Sequence, residues 1–315
     1  MTKRKVERRG AKKGGGGARL ITAALLCRMP LPEPDKGGSK EERGRVLVVA
    51  GSPEMPGAAV LAATAAVRAG AGKLQIATAE SVARLVAVAV PEARVFALPD
   101  ADEGSFDPAG VAQIEGYLRE ARAVLVGPGM CGGHRIGCIT RALLPHLAKD
   151  ATLVLDADAL NVLADEPRLL APLGGRAVLT PHATEMSDIT GIGEGEIKND
   201  PLTTVRGAVE RFGAAVALKG RETFVAAPDV AEVYVNRAGN VGLATSGSGD
   251  TLAGLIAGLA ARGADPLQAA VWGVHLHALA GESLARRAGT LGYLARELPG
   301  EFPRLMAKHG PKREG

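Results

Sequence analysis

The sequence predicts an α/β fold in which helices cover a mostly parallel β-sheet. Short apolar runs rich in β-branched residues, typical of strands buried on both faces, alternate with Ala- and Leu-rich segments of helical length. Turns that contain glycine separate the two kinds of segment, and such alternation favours parallel strands joined by helices. The 42 glycines also indicate many tight turns and closely packed helices.

The elements follow in order along the chain. The first clear strand is predicted at Arg45–Ala50, and the turn Gly51–Gly57 leads into a helix over Ala58–Ala69 that stops at Gly70. Further strands are predicted at Lys73–Thr78, Arg94–Leu98, Ala123–Val126, Thr152–Leu155 and Ala177–Leu179. Three closely spaced runs then predict antiparallel strands at one edge: Ala214–Lys219, Thr223–Ala227 and Glu232–Val235. Helices follow over Gly249–Arg262 and Pro266–Arg287, with a last piece after Thr290.

The net charge of +4 comes from the amino-terminal end of the sequence. Residues 1–19 hold eight Lys or Arg and one acid, whereas residues 20–315 hold 30 basic and 33 acidic side chains. We therefore predict a disordered basic tail over 1–19 and a single domain over 20–315. Nucleic-acid binding through the tail is a remote alternative, and an aromatic content of 3% argues against a base-stacking platform.

Three cysteines without CxxC spacing predict neither a complete disulfide set nor a metal knuckle, and they favour a reduced, cytoplasmic environment. No stretch approaches the roughly 18 apolar residues that cross a bilayer, so no membrane partner is expected. No nucleic-acid partner is expected either.

The strongest candidate for chemistry is the Gly/Ser-rich loop that leads to Asp250 and runs into an apolar helix. Backbone amides of such a loop and the amino end of the helix suit phosphate or a developing oxyanion. A carboxylate at this place can accept a proton from a hydroxyl that attacks phosphorus. The alternative is that Asp250 only caps the helix.

Other candidates are weaker. Gly127–Gly129 follows a predicted strand, at the end where open α/β sheets bind ligands. Asp156 and Asp158 fit a metal pair or a helix cap equally well. His275 and His277 face different directions on a predicted helix, so they are better explained as core or surface residues than as shared metal ligands.

Eight segments together resemble the NAD(P)HX dehydratase family of the ribokinase-like superfamily. They are Gly44–Ser52, Gly57–Leu61, Arg68–Gly72, Val126–Gly129, Leu155–Asn161, Leu179–Met186, Leu218–Thr223 and Asn236–Gly254. The resemblance implies a three-layer α/β/α sandwich with a mostly parallel sheet, assembled as a homotetramer. It also implies that the C6 hydroxyl of (6S)-NADHX or NADPHX is phosphorylated from ADP with Mg²⁺, and that loss of phosphate regenerates NADH or NADPH. ADP and ATP both remain open as donors, as do NADHX and NADPHX as preferred substrates.

The resemblance also implies roles for individual residues. Asp250 is the expected base and contacts the hydrate, as do Ala58, Gly129 and His182. The nucleotide contacts are expected at Lys219, Gly220, Arg221, Glu222, Thr223 and Gly249. Asn161 and Glu185 are expected to support the site or a metal ion. His182–Glu185 replaces the family's His-Pro-Gly-Glu, and as a pair these two residues fit either a capping arrangement or a ligand contact.

Many relatives carry a fused epimerase domain. Only the tail of residues 1–19 precedes the domain predicted here, so a separate NAD(P)HX epimerase is expected. The alternative function is a small-molecule kinase of the hydroxyethylthiazole or hydroxymethylpyrimidine type, which shares this kind of loop and releases a stable phosphorylated product.

Overall fold

A computed structural model describes residues 17–33, 39–101 and 104–310 of the chain. The strands are β1 (Ala18–Leu20), β2 (Arg45–Val49), β3 (Lys73–Ala79), β4 (Ala93–Leu98), β5 (Ala123–Val126), β6 (Thr152–Leu155), β7 (Ala177–Leu179), β8 (Ala215–Leu218), β9 (Thr223–Ala226) and β10 (Val233–Asn236). The α-helices are α1 (Ala23–Arg28), α2 (Pro56–Arg68), α3 (Glu80–Ala89), α4 (Glu115–Leu118), α5 (His134–Leu143), α6 (Val162–Asp165), α7 (Ala183–Thr190), α8 (Glu194–Asn199), α9 (Pro201–Phe212), α10 (Ser248–Ala261), α11 (Pro266–Ala288) and α12 (Phe302–His309).

The strands form one sheet in the order β1-β10-β9-β8-β7-β6-β5-β2-β3-β4. Neighbouring strands from β8 through β4 are parallel, and β9 runs antiparallel to both of its neighbours. The predicted mostly parallel sheet with antiparallel strands towards one edge is therefore confirmed. The predicted edge is incomplete, however, because β1 adds a further strand, parallel to β10, outside the antiparallel strands.

Strand β1 also bears on the predicted boundary of the domain. Ala18 and Arg19 pair with Val233 and Tyr234, so ordered structure begins before residue 20. A strand of three residues is too short for a hydrophobic pattern to reveal it. The remainder of the predicted tail, residues 1–16, lies outside the described residues.

Two apolar cores lie on opposite faces of the sheet. Alternate residues of one strand supply different cores, since successive side chains point to opposite faces. Val46 and Val48 of β2 belong to the core that includes α2, α10 and α11, whereas Leu47 and Val49 belong to the core beneath α5, α7 and α9. This arrangement confirms the predicted α/β/α layers.

Helices α2 and α10 pack with almost no side chain between them. A Cβ atom on Gly254 would lie 2.1 Å from the Ala62 carbonyl oxygen, and one on Gly258 would lie 2.4 Å from that of Ala66. The two glycines therefore allow backbone-to-backbone contact. The contact fixes the amino ends of both helices at the same end of the sheet, where the candidate site lies.

None of the helices in the described ranges has the length and apolar character that crossing a membrane requires.

Candidate active site

The candidate site lies at the carboxyl ends of the parallel strands, where the amino ends of α2 and α10 meet the turns after β5, β6, β7 and β8. Open α/β sheets bind their ligands at this edge. Among the predicted residues, contacts join Asp250, Lys219, Gly249, Glu185 and His182 into one group, and Ala58 and Gly129 contact each other.

Asp250 is the third residue of α10, in the first turn of the helix. The N-cap is Gly247, whose φ of +84° favours glycine, so the interpretation of Asp250 as the helix cap is wrong. Burial raises the pKa of Asp250 to about 6, helped by the nearby carboxylates of Asp156 and Glu185 and opposed by the Lys219 ammonium. A carboxyl group with this pKa can accept a proton near neutral pH.

The loop before Asp250 is held from below by buried polar contacts. The Nε2 atom of His277 lies 3.0 Å from the Ser248 carbonyl oxygen, which can only accept, so Nε2 carries the proton. Burial lowers the pKa of His277 to about 4, so the ring is neutral. Upstream, the Asn240 side chain accepts from Gly242 N at 2.9 Å and from the Tyr293 hydroxyl at 3.0 Å. His277 is thus a buried support of the loop, and His275 pairs separately with Asn236 at 2.9 Å, as the interpretation of both as core residues predicts.

Lys219 follows β8 and provides the positive charge at the site. Its Nζ atom lies 2.9 Å from Asp156 Oδ1 and 3.5 Å from Glu185 Oε2. Burial alone would lower the pKa of Lys219, but attraction to the two carboxylates outweighs burial and raises the pKa. A Cβ atom on Gly249 would lie 3.6 Å from this Nζ, so the ammonium lies directly beneath the Gly249–Asp250 turn.

His182 and Glu185 form a capping box at the start of α7. The Nδ1 atom of His182 accepts from the amides of Thr184 and Glu185, at 3.1 and 3.2 Å, and Glu185 accepts from His182 N at 2.7 Å. The capping interpretation is therefore confirmed. Nδ1 is occupied, while Nε2 lies on a half-exposed side chain, 3.5 Å from Glu185 Oε1, where a ligand can reach it.

Ala58 and Gly129 meet at the other side of the site. Gly129 has a φ of +62°, and a Cβ atom on it would lie 2.5 Å from the Ala58 Cβ, so a larger residue in this turn would collide with the first turn of α2. Within the segment predicted to contact the nucleotide, Gly220 and Arg221 are exposed in the turn between β8 and β9, Thr223 begins β9, and Glu222 pairs with Arg237 at 2.8 Å. Asn161 is exposed at the end of the short 3₁₀ helix Ala157–Asn161.

Asp156 has a role that the sequence did not predict. It stands at the N-cap of the helix Ala157–Asn161, but its side chain makes no capping hydrogen bond. Instead, Oδ1 accepts from the Thr180 hydroxyl at 2.6 Å and from Lys219. The order of strands β6, β7 and β8 would have revealed this contact, because it places the ends of these three strands side by side.

Comparison with known proteins agrees with this geometry. A family model described as NAD(P)H-hydrate dehydratase matches residues 46–304. The chain belongs to this family. It is 47% identical over 292 residues to an ADP-dependent (S)-NAD(P)H-hydrate dehydratase of Xanthomonas campestris pv. campestris, covering 93% of this chain and 97% of the relative. The dehydratase family consists of hydro-lyases, so the chain is an enzyme of that class.

Solved structures support the same family. The ADP/ATP-dependent NAD(P)H-hydrate dehydratase of Bacillus subtilis, co-crystallised with ATP/Mg²⁺, matches with a TM-score of 0.75 and 30% identity over 92% of this chain and 98% of that one. A ribokinase-like protein of Enterococcus faecalis matches the fold with a TM-score of 0.80 at 23% identity, covering 96% of this chain and 99% of that one. The ribokinase-like fold is therefore confirmed. The chain spans 54% of the length of a bifunctional NAD(P)H-hydrate repair enzyme of Moorella thermoacetica, to which it is 39% identical over 91% of its own length.

Proposed function

We propose that the chain is an ADP-dependent dehydratase that restores NADH and NADPH from (6S)-NADHX and NADPHX. The observation that carries this proposal is the Asp250 carboxyl, with a pKa of about 6, in the first turn of α10 and above the Lys219 ammonium. A base is thereby held beside positive charge and the amino end of a helix, which are the groups that phosphoryl transfer requires. The name of the Xanthomonas relative supports ADP as the donor and NAD(P)HX as the substrate.

The proposed reaction has two stages. The C6 hydroxyl of the hydrate attacks the β-phosphorus of ADP and passes its proton to Asp250, while the bond from phosphorus to the AMP oxygen breaks. The ring nitrogen then supplies electrons as the C6–O bond breaks and phosphate leaves, and loss of a proton from C5 completes the double bond. Phosphate leaves far more readily than hydroxide. Phosphorylation by ADP therefore converts the C6 hydroxyl into a better leaving group.

The chain's own residues divide between the two ligands. Lys219 and the turn Gly220–Thr223, with Gly249, are proposed to hold the nucleotide, because a buried ammonium and loop amides suit phosphate. The hydrate is proposed to contact Ala58 and Gly129, which meet at the amino end of α2, and the accessible Nε2 atom of His182 at the amino end of α7.

The part of the chain that the structure describes offers no site that fits Mg²⁺ as a resident ion. Among the described residues, no group of three or more His, Cys, Asp or Glu side chains could hold a metal ion. The carboxylates of Asp156 and Glu185 are already paired with Lys219, and Asn161 lies exposed. We therefore propose that Mg²⁺ accompanies the phosphates of the nucleotide, as is common for this ion.

A small-molecule kinase is not favoured. A hydroxyethylthiazole kinase of Pyrococcus horikoshii matches with a TM-score of 0.56 at 16% identity, which is a likeness of fold alone.

We also propose a homotetramer that acts with an NAD(P)HX epimerase. A cytoplasmic location is supported by Cys27, Cys131 and Cys138, all of which are unpaired.

The experiment is an assay of the purified protein with NADHX and ADP. The expected result is absorbance from regenerated NADH, with AMP and phosphate released in equal amounts. Asp250→Asn is expected to abolish turnover while ADP affinity stays within a few-fold, because the backbone donors of the loop remain. A stable phosphorylated product without NADH would identify a kinase instead, and equal loss of ADP binding and turnover in Asp250→Asn would make Asp250 structural.

A further inference from the structure

We propose that Asp156 is a positioning residue of this reaction, whose buried carboxylate fixes the Lys219 ammonium beneath the Gly249–Asp250 turn. The proposal rests on the proposed function for the identity of the ligands. It goes further by assigning a role to a residue that neither the family resemblance nor the capping and metal interpretations explain.

The surroundings of Asp156 suit a fixed charge. The residue is 2% exposed, so its carboxylate must be paired. Its two partners share Oδ1, with the Thr180 hydroxyl at 2.6 Å and Lys219 Nζ at 2.9 Å. The other oxygen, Oδ2, faces the first turn of α10, since a Cβ atom on Gly249 would lie 4.0 Å from it. The carboxylate therefore connects the ends of β7 and β8 with the amino end of α10.

The backbone around Asp156 is arranged for this orientation. The next residue, Ala157, has a φ of +52°, a left-handed conformation that a residue with a Cβ rarely adopts. On the other side, Gly127 packs so closely that a Cβ atom on it would lie 1.8 Å from the Asp156 carbonyl oxygen. Unfavourable backbone of this kind persists where the surrounding structure requires it, often at functional sites. Here it accompanies a side chain that contacts Lys219 instead of capping its own helix.

Lys219 needs such a partner. Its ammonium ends a flexible stem of four carbons, and the side chain is only 19% exposed. Glu185 is the second partner, but it is farther away, at 3.5 Å, and also accepts from the amide of His182. Asp156 makes the shorter contact and is itself fixed by Thr180. We infer that Asp156 sets the position of the ammonium and that Glu185 assists.

The test is a double-mutant cycle on Asp156 and Lys219. Asp156→Asn, Lys219→Met and the double variant are compared with the wild type for ADP affinity by calorimetry and for kcat and KM with NADHX. Asp156→Asn keeps the shape of the side chain and removes its charge. We expect it to lower kcat/KM by about 10²-fold, the size of loss that a misplaced group causes, and to weaken ADP binding. In the Lys219→Met background the same change should have almost no further effect, because the group that Asp156 positions is gone.

Two further variants keep the test decisive. Asp165→Asn makes the same chemical change at an exposed position of α6 and should leave both measurements unchanged. If Asp156→Asn does not fold, Thr180→Val removes the hydroxyl that donates to Asp156 at almost constant volume. Its loss in kcat/KM should be smaller and should likewise vanish in the Lys219→Met background.

The outcomes separate this inference from the proposed function. Equal factors of loss in the wild-type and Lys219→Met backgrounds would show that Asp156 does not act through Lys219, and they would overturn the inference. A wild-type protein that binds ADP without dehydrating NADHX would contradict the proposed function, while the cycle on ADP affinity would still decide the role of Asp156. A wild-type protein that does not bind ADP would overturn both.

Discussion

At the candidate site, carboxylates outnumber the ammonium group of Lys219 that they surround. Three carboxylates, from Asp156, Glu185 and Asp250, surround the one ammonium of Lys219. Burial is the main cause of the raised pKa of Asp250, and the nearby carboxylates of Asp156 and Glu185 raise this pKa further. Within the described part of the chain, Asp250 forms no ion pair of its own, so its carboxylate oxygens remain free to accept a proton.

The raised pKa predicts how Asp250 affects stability. Between about pH 4 and pH 6 the unfolded chain loses the Asp250 proton while the folded chain keeps it, so the carboxyl destabilises the fold as the pH rises, and the effect levels off above pH 6. Asp250→Asn should therefore raise the free energy of unfolding by about 3 kcal/mol at pH 8 and change it little at pH 4. In the wild type, kcat/KM should fall below about pH 6, since the base of the free enzyme must be ionised.

Denaturant unfolding at the two pH values and a profile of kcat/KM against pH measure these effects. The exposed Asp165→Asn should show no such dependence on pH. Destabilisation by Asp250→Asn of equal size at pH 4 and pH 8 would contradict the raised pKa.

The sequence predicted which residues lie at the site, but not which side chains contact one another there. Asp250 and Lys219 stood in recognisable segments, and both lie at the site. The contact between Lys219 and Asp156 joins residues 63 positions apart at the ends of β8 and β6. No local pattern encodes such a contact, because it depends on the order of strands in the sheet.

The first turns of helices α2 and α10 form part of the candidate site. Asp250 is in the first turn of α10 and Ala58 in the first turn of α2, so the spacing of the two helices sets the distance between the proposed base and the proposed hydrate contact. The sequence predicted both helices, although α2 begins two residues earlier than expected, at Pro56. Proline suits the first turn of a helix, where no backbone donor is needed.

The close contact of these helices gives a prediction for Gly254→Ala. The new Cβ would lie 2.1 Å from the Ala62 carbonyl oxygen, a backbone atom that can move only if the helices separate. We expect the free energy of unfolding to fall by about 1–3 kcal/mol, as for other overpacked cores, and kcat to fall with it. Urea unfolding and the NADHX assay measure the two effects.

Gly207→Ala in α9 is the matched control. A Cβ atom there has nothing within 4 Å, so the same substitution in a helix should stabilise the protein by about 0.5–1 kcal/mol. Similar effects of the two substitutions on stability would mean that α2 and α10 are not in backbone contact.

The whole molecule is one sheet between two cores, and this arrangement explains what could be predicted. Strands buried on both faces read as continuous apolar runs, which is why the bounds of β5, β6 and β7 agree with the prediction. The order of the strands could not be predicted, since alternation of strands and helices fits many orders. Strand β1 was missed because three residues carry no periodicity, yet it covers the outer edge of β10.

The basic amino-terminal segment leads to a prediction about truncated chains. Residues 1–16 contain seven Lys or Arg, whereas β1 begins at Ala18. Removing residues 1–16 should leave the melting temperature and NADHX turnover unchanged, because all ten described strands and all the proposed site residues remain. Any binding of DNA by the full chain should weaken steeply with salt and be lost in this variant, since it would depend on the basic side chains.

Removing residues 1–20 should have a different effect, because it deletes β1. Ala18 and Leu20 pair with Val233 and Val235, and these pairs would be lost, leaving an edge of β10 open. We expect the melting temperature to fall by several degrees, the size of shift that a loss of 1–2 kcal/mol causes in a chain of this size. Equal melting temperatures for the two truncated chains would show that β1 contributes nothing to the sheet. Loss of turnover on removing residues 1–16 alone would instead give the basic segment a part in the repair reaction.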